Sequence, residues 1–420
     1  MRLIVRYFLK LFTARILKKY NPDVVGITGS VGKTSVKDIT LKILSKKFRV
    51  SGSPDSYNTF FGVLLTVVGE KSPGRSFITW FYILGKALFL CIKKKKSYAE
   101  ILVLEMAANR PGDIKELTEL IQCNVGVVTA ISPVHIKFFK TIKKLFREKQ
   151  LLVRSLDRTG FAILNRDDLE LYSMRKKTDA DVITYGFHPD STVRASDINI
   201  KKDPQTGWPE GVFFKVIYQG SVVPIYLPGV VGEHVIYSAL AAISIAIVFG
   251  LNLVEISRAL QELKMPPGRM RVLPGIKNTL IIDDSYNASP ISVKAALNTF
   301  SKLDLSNAKR YIILGDMLEL GQQTEKYHRE MGIRVAELNF DYLITVGSAT
   351  KNLAKAAINK GVSEDKVASF SDTKKAGLFL QEKLKPGDAC LIKGSRAMKM
   401  EKVVKEVLAK PLKESELLVH

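Results

Sequence analysis

The sequence predicts an α/β protein, a parallel-sheet domain followed by a second, doubly wound domain. Three observations carry the prediction. A glycine-rich turn, Gly26-Ile27-Thr28-Gly29-Ser30-Val31-Gly32-Lys33-Thr34-Ser35, joins an apolar run to a helical one. Short apolar runs suited to buried parallel strands recur along the chain, each ending in a polar or glycine-bearing loop. Met265-Pro266-Pro267-Gly268 interrupts this alternation as a hinge would, and the alternation then resumes. The expected units are a basic N-terminal segment (1–21), a central domain (22–264) with an apolar and basic insert (72–97), and a C-terminal domain (265–420).

Composition narrows the class. A chain of 420 residues, 46% of them hydrophobic, has length for two or three domains with real cores. The net charge of +23 attracts nucleic acid, anionic lipid and polyphosphorylated substrates alike. No aromatic-basic interleaving or known nucleic-acid module accompanies it, so a nucleic-acid partner is not expected. Cys91, Cys123 and Cys390 lie far apart, which fits a reduced cytoplasmic compartment rather than a disulfide framework.

The N-terminal segment, Met1 to Tyr20, mixes apolar residues with Arg2, Arg6 and Lys10 on one helical stripe. It has neither the apolar core nor the cleavage site of a secretory signal. The glycine-rich turn follows. Its backbone N–H groups and the helix N-terminus suit a polyphosphate, with Lys33 neutralising the outer phosphates and Thr34 holding Mg²⁺. Gly29, Ser30, Gly32 and Ser35 complete the expected loop.

The next apolar run, Phe77 to Ile92, has sixteen residues and ends in Lys93-Lys94-Lys95-Lys96, whereas a spanning helix needs roughly 20. Two readings stand: a helix lying on an anionic membrane surface, or helices packed on each other and on the central domain. Ile101–Leu104 is a buried strand ending in Glu105, where open α/β sheets bind ligands. Val125–Thr129 is another, followed by His135 on the same sheet edge. A helix carrying Glu148 and Lys149 precedes the strand Phe161–Leu164. Residues 191–227 alternate and read as a small antiparallel sheet, and Ser238–Phe249 reads as an apolar helix closed by Gly250. Beyond the hinge, Leu280–Asp283, Tyr311–Leu314, Tyr342–Val346 and Ala389–Ile392 read as parallel strands.

Several of these segments together resemble the Mur ligase family of ATP-dependent amide synthetases. They are Gly26–Ser35, Tyr57-Asn58 with Gly62, Leu104–Gly112, the Gly-x-His segment at Gly232, and Gly268–Val272. Asp283-Asp284-Ser285-Tyr286-Asn287-Ala288 and Lys393-Gly394-Ser395-Arg396 point to the branch that adds D-alanyl-D-alanine. The resemblance implies a P-loop ATPase domain and a Rossmann-like C-terminal domain. It also implies ATP and Mg²⁺ as cofactors, and a muramoyl-tripeptide and D-alanyl-D-alanine as partners. By resemblance Lys33 and Thr34 hold phosphates and metal, and Glu105 and His135 are metal ligands. Lys149 matches a lysine that is carbamylated in some members to give a further ligand. His234, Arg269 and Asp284 reach the nucleotide. Asn58, Tyr286, Asn287, Ser395 and Arg396 face the substrates. A monomer is expected, in the cytoplasm or peripheral at the inner membrane surface.

The chain departs from the family pattern in three ways. Only Met1 to Pro22 precede the phosphate loop, where the family carries a UDP-binding domain. The family's His-Asn-x-x-Asn reads His234-Val235-Ile236-Tyr237-Ser238, so a different hold on the base is expected. The third departure is the insert itself. Other readings of the residues are a ligase of the same superfamily with another acceptor and a non-catalytic nucleotide-binding protein.

Overall fold

The computed structural model describes residues 2–53, 57–74, 76–133, 136–305, 308–410 and 418. Two sheets divide these residues. The first contains β1 (Asp23–Thr28), β2 (Val50–Gly52), β3 (Ile101–Glu105), β4 (Val125–Val128), β5 (Phe161–Asn165), β6 (Asp181–Gly186), β7 (Val193–Lys202), β8 (Pro209–Tyr218) and β9 (Ser221–Pro228), in the order β2-β3-β1-β4-β5-β6-β7-β8-β9. β2 through β7 run parallel, and β8 and β9 turn back antiparallel. The expected small antiparallel sheet is therefore not separate. The parallel pairing of Tyr185 with Val193 joins it to the main sheet.

The buried runs of β1, β3 and β4 reflect helices on both faces. The helix Lys33–Leu44 packs against the helix Glu233–Val248, which is apolar almost all round because it sits inside the core. That helix begins at Glu233, ahead of the expected Ser238.

The second sheet contains β10 (Arg271–Gly275), β11 (Thr279–Asp284), β12 (Arg310–Gly315), β13 (Tyr342–Val346), β14 (Val367–Phe370) and β15 (Ala389–Lys393). Its order is β10-β11-β15-β12-β13-β14, parallel except for β10. The expected strands are present. β10 and β14 were not anticipated, since each is only partly buried and lacks an unbroken apolar run.

The N-terminal helix Arg2–Tyr20 and the insert helix Phe77–Ile92 pack on one another, and both touch the helix Phe60–Val68. Val5, Leu9, Phe12 and Ile16 are buried from one side, Ile83, Ala87 and Leu90 from the other. Their C-terminal ends are tied by Lys19 Nζ, which donates to the carbonyls of Leu90 (3.2 Å) and Cys91 (3.1 Å), and by Tyr20 Oη, which donates to the Lys93 carbonyl (2.9 Å). Arg6, on the basic stripe, is ion-paired to Glu116, with Lys10 at 4.0 Å from the same carboxylate. So the packed-helix reading holds for one face of the pair.

Candidate active site

The sheet register assembles the site. β1 lies between β3 and β4, pairing Ile27 with Glu105 and Thr28 with Val128, so three strand ends converge where the chain turns into the phosphate loop. Gly29 (φ +150°) and Gly32 (φ +89°) make the turn. A Cβ on Gly29 would stand 1.9 Å from Thr129 Oγ1, and that hydroxyl donates to the Val31 carbonyl at 2.6 Å. The loop thus lies tight against β4, with the Ser30 amide donating to the Ala130 carbonyl (2.6 Å), and the helix start at Lys33 borders the cleft.

Lys33 and Lys149 meet behind the loop. Their ammonium nitrogens lie 2.8 Å and 2.9 Å from the same Gly29 carbonyl oxygen. Burial lowers the pKa of both. Glu105 partly restores that of Lys33, whereas Lys33 pushes Lys149 further down, well below the ordinary lysine range. Glu148, the neighbour of Lys149, caps a helix instead, accepting from the amides of Gly112 and Ile114.

In front of the loop, Glu105 is nearly inaccessible and both its oxygens are engaged. Thr34 Oγ1 donates to one at 2.9 Å and Asn58 Nδ2 to the other at 3.1 Å. Asn58, expected at the substrate, lines the cleft and is also a partner of Glu105. Ser30 donates to the Ser132 carbonyl at 3.1 Å, and Ser35 is buried in the first helical turn. His135 lies outside the described residues. Among the described residues no group of three His, Cys, Asp or Glu side chains gathers, so the hard-ligand pair Thr34–Glu105 is what fits Mg²⁺, an ion that keeps several waters.

These groups open onto a cleft of about 870 Å³ whose other wall comes from the C-terminal domain. Arg269 stacks over Tyr286, with 4.2 Å between guanidinium carbon and ring centre. The register of β11 on β15 pairs Asp284 with Lys393, and Lys393 Nζ donates to Asp284 at 2.5 Å and to the Asn287 carbonyl at 2.8 Å. Asp284 also accepts from the Met270 amide (3.3 Å), and Asp283 from that of Gly268 (3.0 Å). The two carboxylates therefore fix the loop that carries Arg269 into the cleft. Ser395 Oγ accepts from the Leu318 amide (2.9 Å) and donates to the Ala288 carbonyl (3.3 Å), so it ties loops together on the cleft wall. Arg396 bonds Glu401 at 3.1 Å.

Among the described residues, two buried polar atoms in the cleft have no hydrogen-bond partner, Arg269 Nε and His234 Nδ1. Burial also holds the His234 pKa below its ordinary value, so the ring is neutral near pH 7. Unsatisfied groups beside a phosphate cradle fit a nucleotide. Sequence reasoning missed the far end of the cleft. There Tyr237, within the altered asparagine motif, donates to Asp167 at 2.8 Å and lies edge-on to Phe187. Asp167 also accepts from the amides of Phe187 and His188. The Asn165–Asp168 turn after β5 was the available signal.

Two family models match the chain, the Mur ligase middle domain over residues 27–246 and the Mur ligase, glutamate ligase domain over 268–396. The UDP-N-acetylmuramoyl-tripeptide–D-alanyl-D-alanine ligase of Bacillus subtilis (strain 168) is 28% identical over 399 residues, covering 94% of this chain and 78% of that protein. The enzyme of the same name from Escherichia coli (strain K12) is 28% identical over 389 residues, covering 91% and 76%. Among solved structures, MurF ligase from Thermotoga maritima in complex with ADP superposes with a TM-score of 0.76 at 25% identity, covering 98% of this chain and 84% of that one. MurF from Acinetobacter baumannii shares the fold with a TM-score of 0.78 at 24% identity, covering 96% and 80%. With the family models covering the phosphate-loop domain and the domain that carries Arg269 into the cleft, this chain belongs to the Mur ligase family.

Proposed function

We propose that this chain is an ATP-dependent ligase that joins D-alanyl-D-alanine to the terminal carboxylate of a muramoyl-tripeptide. The observation that carries the reading is the meeting of Lys33, Thr34, Asn58 and Glu105 at one strand edge, facing Arg269 and the Asp284–Lys393 pair across the cleft. The relatives named for this reaction support the choice of substrates.

In this reading an acceptor carboxylate oxygen attacks the γ-phosphorus of ATP, ADP leaves, and an acyl phosphate results. The amine of D-alanyl-D-alanine then attacks the acyl carbon, loses a proton and expels inorganic phosphate as the amide forms. Lys33 and Arg269 neutralise charge on the transferring phosphoryl group, and the loop amides orient it. Mg²⁺ held by Thr34 and Glu105 supplies further neutralisation of the phosphates. Asn58 keeps Glu105 turned toward the loop. Tyr286, Asn287 and Arg396 line the C-terminal wall, on the side where the incoming dipeptide is placed. The loops tied by Ser395 exclude water from the acyl phosphate.

Lys149 has a separate role. Its depressed pKa leaves a share of uncharged amine, which adds to CO₂ as a carbamate with release of one proton, giving an anion beside the loop. In this reading the chain works as a monomer in the cytoplasm, at the inner membrane surface, and the exposed apolar face of the insert helix supports the peripheral position.

The test is phosphate release from ATP and Mg²⁺ in the presence of UDP-N-acetylmuramoyl-tripeptide and D-alanyl-D-alanine, with the pentapeptide product identified by mass. Product that is lost in Lys33→Ala supports the reading. ATP binding without product, with that acceptor and with its lipid-linked counterpart, refutes it.

A further inference from the structure

A helix that is apolar all round belongs in a core or in lipid, and the insert helix is half exposed. Helical spacing puts Phe77, Ile78, Phe81, Tyr82, Leu88, Phe89 and Ile92 on one side of it. All are exposed, with Ile78 at 84%, Phe81 at 77% and Ile92 at 71%. The packed N-terminal helix adds Ile4, Tyr7 and Phe8, also exposed. Patches of this extent on a soluble surface mark an interaction site.

Charge selects the occupant. Neither helix contains an acidic residue. The insert helix runs directly into Lys93–Lys96, all exposed, and Arg15 and Lys18 are exposed on the N-terminal helix. Two carboxylates that reach these helices are already engaged, Glu70 by Lys86 and Glu116 by Arg6. A second copy seated on this face would bring two lysine blocks together, an unfavourable juxtaposition. No helix among the described residues is long and apolar enough to cross a membrane. At sixteen residues the insert helix is about 24 Å long, and it suits a position in the plane of the interface, aromatic side down.

We propose that this face docks on an anionic lipid bilayer, with the Phe77–Ile92 side chains at the acyl boundary and Lys93–Lys96 on the headgroups. It deepens the peripheral placement above. It also gives that placement an orientation, because the insert helix rests on the helix Phe60–Val68, which starts two residues after Asn58. The bilayer then lies alongside a helix that leads to the Glu105 site, since Trp80 meets Phe61 at its start and Lys86 donates to the Gly69 carbonyl just past its end.

The experiment is vesicle flotation of the full chain without substrates, so its outcome is independent of the ligase reaction. The protein should float with vesicles of phosphatidylglycerol and phosphatidylcholine, less so at high salt, and stay in solution with phosphatidylcholine alone. Replacing Lys93–Lys96 by alanine should weaken partitioning by about five-fold per lysine. Ile78→Asp with Phe81→Asp and Phe89→Asp should abolish it while ATP binding, the control for folding, is retained. Three results would each overturn the proposal. One is no flotation with anionic vesicles, and another is flotation insensitive to the face variant. The third is a dimer in sedimentation that the face variant dissociates while vesicles are ignored.

Discussion

Asp283 offers a prediction whose size follows from the structure. Its carboxyl is fully buried at the end of β11, and burial raises its pKa from 3.8 to about 6, against the opposing pull of the Ser285 and Gly268 amides. The protonated form is favoured in the fold more than in the unfolded chain. The stabilisation is therefore complete below the unfolded pKa of 3.8 and is lost as pH rises through about 6. A shift of this size is worth about 3 kcal/mol in total, roughly half of it lost between pH 5 and pH 8. Asp283→Asn removes the titration. It also exchanges one amide-accepting oxygen for a donor, a pH-independent cost of about 1–3 kcal/mol. The informative quantity is accordingly the change with pH, not the offset. Urea unfolding of both proteins from pH 4 to pH 8 should show the wild-type advantage shrinking as pH rises. A constant difference, or one that grows with pH, would refute the assignment of Asp283 as a carboxyl protonated by burial.

Three further expectations concern the site. Asn58→Ala leaves one oxygen of a buried Glu105 unpartnered and should lower turnover by roughly 10- to 100-fold, read as steady-state phosphate release at saturating Mg²⁺. Tyr237→Phe removes the hydroxyl bound to Asp167 and should raise KM for ATP by roughly 5-fold with kcat unchanged. Because the pKa of Lys149 is lowered by burial and by Lys33, ¹³C-labelled bicarbonate at pH 8 should give a carbamate resonance that is absent in Lys149→Arg. It should weaken as pH falls and the amine takes up a proton.

The parts of the molecule governed by local pattern were legible beforehand. β1, the glycine turn and the helix from Lys33 lie within one short stretch, and each buried parallel strand announced itself as an apolar run bounded by polar residues. Short or half-exposed strands such as β2, β10 and β14 carry no such signal, and neighbouring strands decide their pairing. Within the site, residue types were readable but partnerships were not. Nothing in the spacing of Lys33 and Lys149 says that both reach one carbonyl oxygen. The position of Asn58 in a motif points to the substrate and does not reveal the bond it also makes to Glu105. The ion pair of Arg6 was likewise not legible, since its partner Glu116 lies on a helix formed much later in the chain. The insert was the reverse case. Its apolar run was plain, and only packing divided it into a buried and an exposed side.

The joined nine-stranded sheet also shapes how copies of the chain avoid one another. A sheet this wide has two margins, and an uncovered margin is a template for strand addition. One margin is β2, only three residues long. The other is β9, which carries Pro224 and Pro228 and so lacks two of the amide donors that an incoming strand would pair with. The second sheet likewise ends in the four-residue β14. A chain that displays a broad greasy helix face thus keeps its ladder margins blunt, which confines sticking to the helices and guards against fibre-like stacking.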